Sequence, residues 1–204
     1  MQNERQMLID GAGQLGIELT ADAQSKLLQY MALMQKWNKV YNLTAIGSGP
    51  EMVTYHLLDS LAVLPHLWAG KWLDVGCGGG LPGIVLAIMR PDWDFTLLDS
   101  NSKKTGFVQQ AAIQLGLKNV QVHTGRVEDW QEGIRFDGII SRAFTELGNF
   151  FSLTEGLLAP EGRWAAMKGK MEEGIPGQYR IDHIITLHVP GLDASRSLVI
   201  AGRK

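Results

Sequence analysis

The spacing of apolar positions changes once along the chain. Up to about Trp68 it is helical: Leu27, Tyr30, Met31, Met34 and Trp37 recur at steps of three and one, which lays them on one face. Thr20 stands just before this run, where a hydroxyl can accept a hydrogen bond from a free helical N–H. Gly47-Ser48-Gly49-Pro50 then interrupts the pattern with turn-forming residues. A second helix is expected over Glu51–Leu64, with Met52, Leu57, Leu61 and Leu64 inward. From Lys71 onward, short apolar runs alternate with helical stretches: Trp72–Val75, Ile84–Met89, Phe95–Leu98, Thr105–Leu115, Val120–His123, Phe136–Ile140, Phe150–Leu158 and Arg163–Met167. The chain closes with His183–Val189 and Ser197–Ala201, two extended runs joined by a short loop.

Strand and helix in repetition imply a parallel sheet covered on both faces. Two extended runs joined directly imply an antiparallel pair at its edge. The expected fold is therefore α/β: a doubly wound, mostly parallel sheet ending in an antiparallel hairpin. Residues 1–68 form a helical extension packed on a core of residues 69–204, the two making one compact unit. In such a sheet, ligands bind beyond the carboxyl ends of the strands.

The segment Asp74-Val75-Gly76-Cys77-Gly78-Gly79-Gly80-Leu81-Pro82-Gly83 lies between an apolar strand and an apolar helix. Glycines there let the backbone turn sharply and approach a ligand closely. Gly78, Gly80 and Gly83 match the dinucleotide fingerprint G-x-G-x-x-G, a weak signal alone. Pro82 removes a donor that a pyrophosphate would use. Asp74 would repel a pyrophosphate and suit a cationic ligand, such as the amino group and sulfonium of S-adenosylmethionine. Asp99 ends the second strand, where an acid can accept hydrogen bonds from ribose hydroxyls; capping the next helix is its other reading. Glu128 could address an adenine or simply decorate the surface.

Basic residues follow the strand ends: Lys103 and Lys104, Arg126, Arg142 and Lys168. On one sheet edge beside a cofactor they would suit a phosphate-rich substrate, although scattered solvated cations remain the alternative. His56 and Asp59 lie three apart on the second helix and share a face, which suits a structural hydrogen bond better than a catalytic pair. Cys77 has no basic partner nearby in sequence to make it a nucleophile. Trp37 and the Met/Tyr stripe read as core rather than as a base-stacking platform.

Composition narrows the classes. With 45% apolar and 20% charged residues, the chain is an ordinary globular one. A net charge of −2 means that any RNA contact must be a local basic patch. One cysteine cannot form an internal disulfide, and one cysteine with five histidines gives a clustered metal site no support. The opening residues lack the basic start and apolar stretch of a signal peptide, and no apolar run approaches the ~20 residues of a membrane span. A cytoplasmic protein without a membrane contact is expected.

Several stretches together resemble the RsmG family of bacterial small-subunit (16S) ribosomal RNA guanine-N7 methyltransferases, formerly called glucose-inhibited division protein B. They are Trp37-Asn38-Lys39-Val40-Tyr41-Asn42-Leu43-Thr44, His56-Leu57-Leu58-Asp59-Ser60, the glycine loop, and Leu97-Leu98-Asp99-Ser100 with Lys103, Lys104 and Phe107. Gly125-Arg126-Val127-Glu128, Phe136–Phe144 and Lys168-Gly169 complete the set. The resemblance spans nearly the whole chain. It implies a Rossmann-like class I methyltransferase that uses S-adenosylmethionine on a guanine in small-subunit ribosomal RNA or the assembling subunit; separately, a monomer is expected. It places Gly76, Leu81, Val127, Glu128 and Arg142 at the cofactor, with Asp74, Gly78, Gly80 and Asp99 from the reading above. Arg126, Lys168 and Lys103 fall in its RNA-contacting basic patch. The stretch Lys170–Gly174 departs from the family pattern. Guanine N7 carries no proton at neutral pH, so no general base is required, and Arg142 would act by positioning. The competing readings are a methyltransferase of the same fold acting on another RNA or a small molecule, a nicotinamide oxidoreductase, and a non-enzymatic ribosome-binding factor.

Overall fold

The computed structural model describes residues 2–130, 133–169 and 177–204. Seven strands form one sheet in the order β3-β2-β1-β4-β5-β7-β6. They are β1 Lys71–Val75, β2 Asp94–Asp99, β3 Val120–Thr124, β4 Phe136–Arg142, β5 Leu158–Lys168, β6 Tyr179–Leu187 and β7 Arg196–Arg203. The first five are parallel, and β7 runs antiparallel between β5 and β6. The order reverses between β1 and β4, the switch point where α/β sheets open a ligand crevice. The expected closing hairpin is present, with β7 inserted inside the edge. The six-stranded all-parallel dinucleotide order, 3-2-1-4-5-6, is not this one.

Alternation along the strands builds two cores. Trp72 faces the cluster with Ile84, Phe107 and Ile140, on the side of α5 (Gly83–Met89) and α6 (Ser102–Gln114). Leu73 and Val75 face the other, with Phe150, Phe151 and Trp164, on the side of α7 (Leu147–Thr154). Trp72 pairs in register with Gly138 of β4. A Cβ built on Gly138 would lie 2.5 Å from the Trp72 ring, so only glycine fits there. Gly138→Ala is expected to cost about 1–3 kcal/mol by overpacking, read from denaturant unfolding.

The extension contributes α1 (Gln2–Gln14), α2 (Ala21–Tyr41), α3 (Gly49–Met52) and α4 (Asp59–Leu61). Thr20 caps α2, its hydroxyl accepting the Ala23 N–H at 3.1 Å. Leu27, Tyr30, Met31 and Met34 are buried in the same cluster as α5 and α6. Trp37 is partly buried and lies 5.6 Å from the Phe107 ring.

The single helix expected over Glu51–Leu64 is a composite. A π-turn over Val53–Leu58 separates α3 from α4, and Leu64–His66 is a 3-10 turn. Val53, Thr54, His56, Leu57, Leu58, Asp59 and Ser60 are all buried, on more of the circumference than a 3.6-residue stripe covers. A π-turn's extra residue rotates the following side chains, a device common at functional sites. Among the described residues no helix is long and apolar enough to cross a membrane.

Candidate active site

Two cavities open on the carboxyl edge of the sheet. The first, of about 360 Å³, is walled by Gly76, Asp99, Lys104, Arg126, Val127, Glu128 and Phe144. The second, of about 390 Å³, is walled by Tyr55, His56, Asp59, Arg142, Lys168 and Arg196. Ala143 lines both. Its φ of 55° is left-handed, a region that costs a non-glycine residue about 1–2 kcal/mol and that clusters at functional sites.

The first cavity is shaped by backbone turning at two strand ends. Gly76 has φ 69°, and a Cβ there would stand 2.6 Å from the Phe144 ring, so the chain passes close beneath that wall. Asp99 presents its carboxylate to the cavity while Oδ2 accepts the Gly78 N–H at 2.9 Å and Oδ1 accepts the Asn101 N–H at 2.8 Å. A carboxylate has about four lone-pair sites, so each oxygen retains one for a ligand hydroxyl. Asp99 does not cap α6. Asn101 does, accepting from the N–H groups of Lys103 and Lys104.

Asp74 is placed differently from the sequence expectation. It follows Trp72 by two residues and so shares its face, pointing under α5 instead of into the cavity. It is fully buried, and its Oδ2 accepts the Gly83 N–H at 2.8 Å, satisfying a free donor at the start of α5. Its Oδ1 has no hydrogen-bond partner. Burial pushes this carboxyl up to about 7, against the pull of the Gly83 N–H and the Arg142 charge. The unfolded chain therefore releases the proton near pH 4 and the native protein only near 7, so this group's contribution to stability falls as pH rises through that window. Asp74→Asn removes the ionisation. Relative to wild type, the variant is expected to gain about 1 kcal/mol in unfolding free energy between pH 6 and 8, measured by urea titration at each pH. A constant difference would place the Asp74 pKa elsewhere.

The second cavity is a cationic cleft built around one acid. Asp59 is 1% exposed, with Oδ2 3.1 Å from Arg142 Nη1 and Oδ1 2.8 Å from Arg196 Nε. Arg142 Nη1 also donates to the Tyr55 carbonyl at 3.0 Å. Lys168 Nζ donates to the Thr145 carbonyl at 2.6 Å. His56 does not pair with Asp59. Its Nε2 lies 2.9 Å from the Thr44 hydroxyl, and burial, with the Arg142 charge, lowers its pKa to about 4. It is neutral at physiological pH, as is the Cys77 thiol, which burial pushes well up.

The sequence model of the family described as rRNA small subunit methyltransferase G matches residues 23–196. This chain belongs to that family. Ribosomal RNA small subunit methyltransferase G of Methylobacillus flagellatus is 51% identical over 197 residues, covering 96% of each chain. The protein of the same name from Laribacter hongkongensis is 48% identical over 204 residues, covering 98% of this chain and 99% of its own. Among solved structures, a SAM dependent methyltransferase from Aquifex aeolicus superposes with a TM-score of 0.56 at 17% identity, over 74% of this chain and 92% of that one. One from Thiobacillus denitrificans, in complex with S-adenosyl-L-homocysteine, gives 0.56 at 12% identity over 84% and 98%. At such identities the likeness establishes the class I methyltransferase fold alone.

Within this family frame the structure redistributes the expected site. Gly76, Asp99, Val127 and Glu128 gather at the first cavity, and Arg126 joins them there. Lys104 lines that cavity, whereas Lys103 is exposed and lines neither. Gly78, Gly80 and Leu81 shape the loop without lining either cavity. Arg142, expected at the cofactor, turns its guanidinium into the cleft because Asp59 and the Tyr55 carbonyl hold it there. The sequence does not single out Arg196 and offers Asp59 only as a partner of His56; the two meet across 137 positions, a contact no local pattern announces. The stretch Lys170–Gly174 lies outside the described residues.

Proposed function

We propose that this chain transfers a methyl group from S-adenosylmethionine to N7 of a guanine in a loop of bacterial small-subunit (16S) ribosomal RNA. Its partner is that RNA or the assembling subunit, met as a monomer in the cytoplasm. The observation that carries the reading, beside the family membership, is the shared Ala143 wall. It sets a cavity bearing an acid suited to ribose against a cleft rich in cations suited to RNA.

In this reading the first cavity takes the cofactor. Asp99 would accept from hydroxyls of its ribose with the remaining lone pairs, Val127 and Glu128 would hold its adenine, and the missing Cβ of Gly76 would keep the Phe144 wall clear. The cofactor, when bound, supplies a methyl group made electrophilic by its sulfonium. Guanine N7 offers an in-plane lone pair and no proton, so the protein need not hold a base. The neutral His56 and the buried Cys77 are consistent with that. What the chain contributes is position: Arg142 and Arg196, locked by Asp59, and Lys168, locked on Thr145, present cations in fixed directions. A base inside an RNA helix is poorly accessible, so the target is one splayed out of its stack.

The test is incubation with methyl-labelled S-adenosylmethionine and small subunits from cells lacking the modification, with the label mapped by nuclease digestion and mass spectrometry. One N7-methylguanosine in the small-subunit RNA is expected. Label on a different nucleotide, or none, would overturn the assignment.

A further inference from the structure

The motif Trp37–Thr44 is not used by either cavity, yet Asn38, Asn42 and Thr44 are engaged in one piece of construction. Asn42 ends α2 in the left-handed conformation, with φ 49°. Asn38 Oδ1 accepts the Thr44 N–H at 2.9 Å, and the Thr44 hydroxyl accepts the Ile46 N–H at 3.1 Å and meets His56 Nε2. The turn after α2 is thereby tied to the wall of the cationic cleft. A groove of about 410 Å³ runs along it, lined by Lys36, Asn38, Lys39, Ile46 and Gly47. Ile46 also lines the cleft, so the two share that wall.

What this end of α2 offers outward is unusual for a protein of net charge −2. Lys36 and Lys39 are exposed, and no ion pair engages them among the described residues. Val40 and Tyr41 are 71% and 42% exposed, and Tyr55, at the cleft's rim, is 37% exposed. Tyr41 is held from behind by Trp37, at 5.2 Å between rings, and Trp37 by Phe107. At about 100° per residue Tyr41 stands on the other side of α2 from Lys36 and Lys39, so this helix end carries a braced, half-exposed ring on one side and free cations on the other; single-stranded nucleic acid passing around it can stack a base on the ring while its phosphates meet the cations.

We infer that the carboxyl end of α2 and its following turn form a docking surface for the unpaired RNA that flanks the target guanine. Lys36 and Lys39 meet its phosphates and Tyr41 stacks on one of its bases. Charge complementarity and the Ile46 wall shared with the cleft select this occupant. The inference rests on the proposed RNA substrate.

The test is the affinity for small subunits lacking the modification, measured as a function of salt. The double variant Lys36→Ala/Lys39→Ala is expected to lessen the slope of log affinity against log salt by about 1.4, since each single-strand phosphate contact contributes ~0.7. Tyr41→Ala is expected to weaken binding roughly 5- to 150-fold, and Tyr41→Phe, which keeps the ring, to restore it. Lys26→Ala, at the other end of α2, serves as the control, and unchanged S-adenosylmethionine affinity reports that each variant is folded. Both lysines are exposed, so their removal does not threaten the fold. Wild-type methylation of the subunit, with slope and affinity untouched in all variants, would overturn this surface and leave the proposed function standing. Absence of wild-type methylation would overturn the proposed function itself.

Discussion

Replacing Asp59 with alanine is expected to lower the unfolding free energy by about 3 kcal/mol and to sharply reduce methyl transfer. The acid is 1% exposed and is the counter-ion of two guanidiniums, Arg142 and Arg196, from β4 and the start of β7. Removing one member of a buried ion cluster leaves the others uncompensated, which costs about 3–5 kcal/mol. The low end applies because the arginine side chains are 23% and 24% exposed and can recover some water. Asp59 also belongs to the helical extension, so its loss unties that extension from the sheet at the cleft. Asp59→Asn, which keeps an acceptor but not the charge, should fall between. Guanidinium or urea unfolding gives the stability, and single-turnover transfer at saturating cofactor gives the activity. A stability change under about 0.5 kcal/mol would mean that the two arginines do not depend on Asp59.

Gly76→Ala is the second large effect, and it falls on the cofactor. At φ 69° an alanine is strained by about 1–2 kcal/mol, and its methyl would sit 2.6 Å from the Phe144 ring, which must then move into or away from the first cavity. Together these are expected to weaken S-adenosylmethionine binding by about 2–3 kcal/mol, roughly 30- to 150-fold in Kd by titration calorimetry. The two causes separate in a double variant. Gly76→Ala/Phe144→Ala relieves the clash and keeps the backbone strain, so it should recover part of the affinity. Wild-type affinity in the single variant would show that Phe144 yields freely and that Gly76 is no cradle.

The periodic parts of this fold are legible from residues alone, because a strand's alternation and a helix's stripe are written within a few positions. The strands and helices from Trp72 to Met167, the closing hairpin, the Thr20 cap and the glycine loop are of this kind. The π-turn over Val53–Leu58 is not. It is needed because that segment is buried nearly all round, and burial on a second side depends on what packs there. Asp74 illustrates the same limit. Its place at a strand end suggested a ligand contact, but which face it takes relative to Trp72, and so its role under Gly83, follows from the sheet's position against α5.

The sequence by itself determined the α/β class and the family to which the chain belongs. Each is a matter of local pattern or of motifs read one at a time. Only the tertiary structure decided which cation lines which cavity. Lys104 lines the first and Lys103 does not because one residue along α6 turns a side chain by about 100°. Arg142 faces the cleft with Arg196 as a neighbour because both need the same buried carboxylate. Coulomb attraction and desolvation act between groups close in space, and residues 83 and 137 positions apart become close only when the sheet is built.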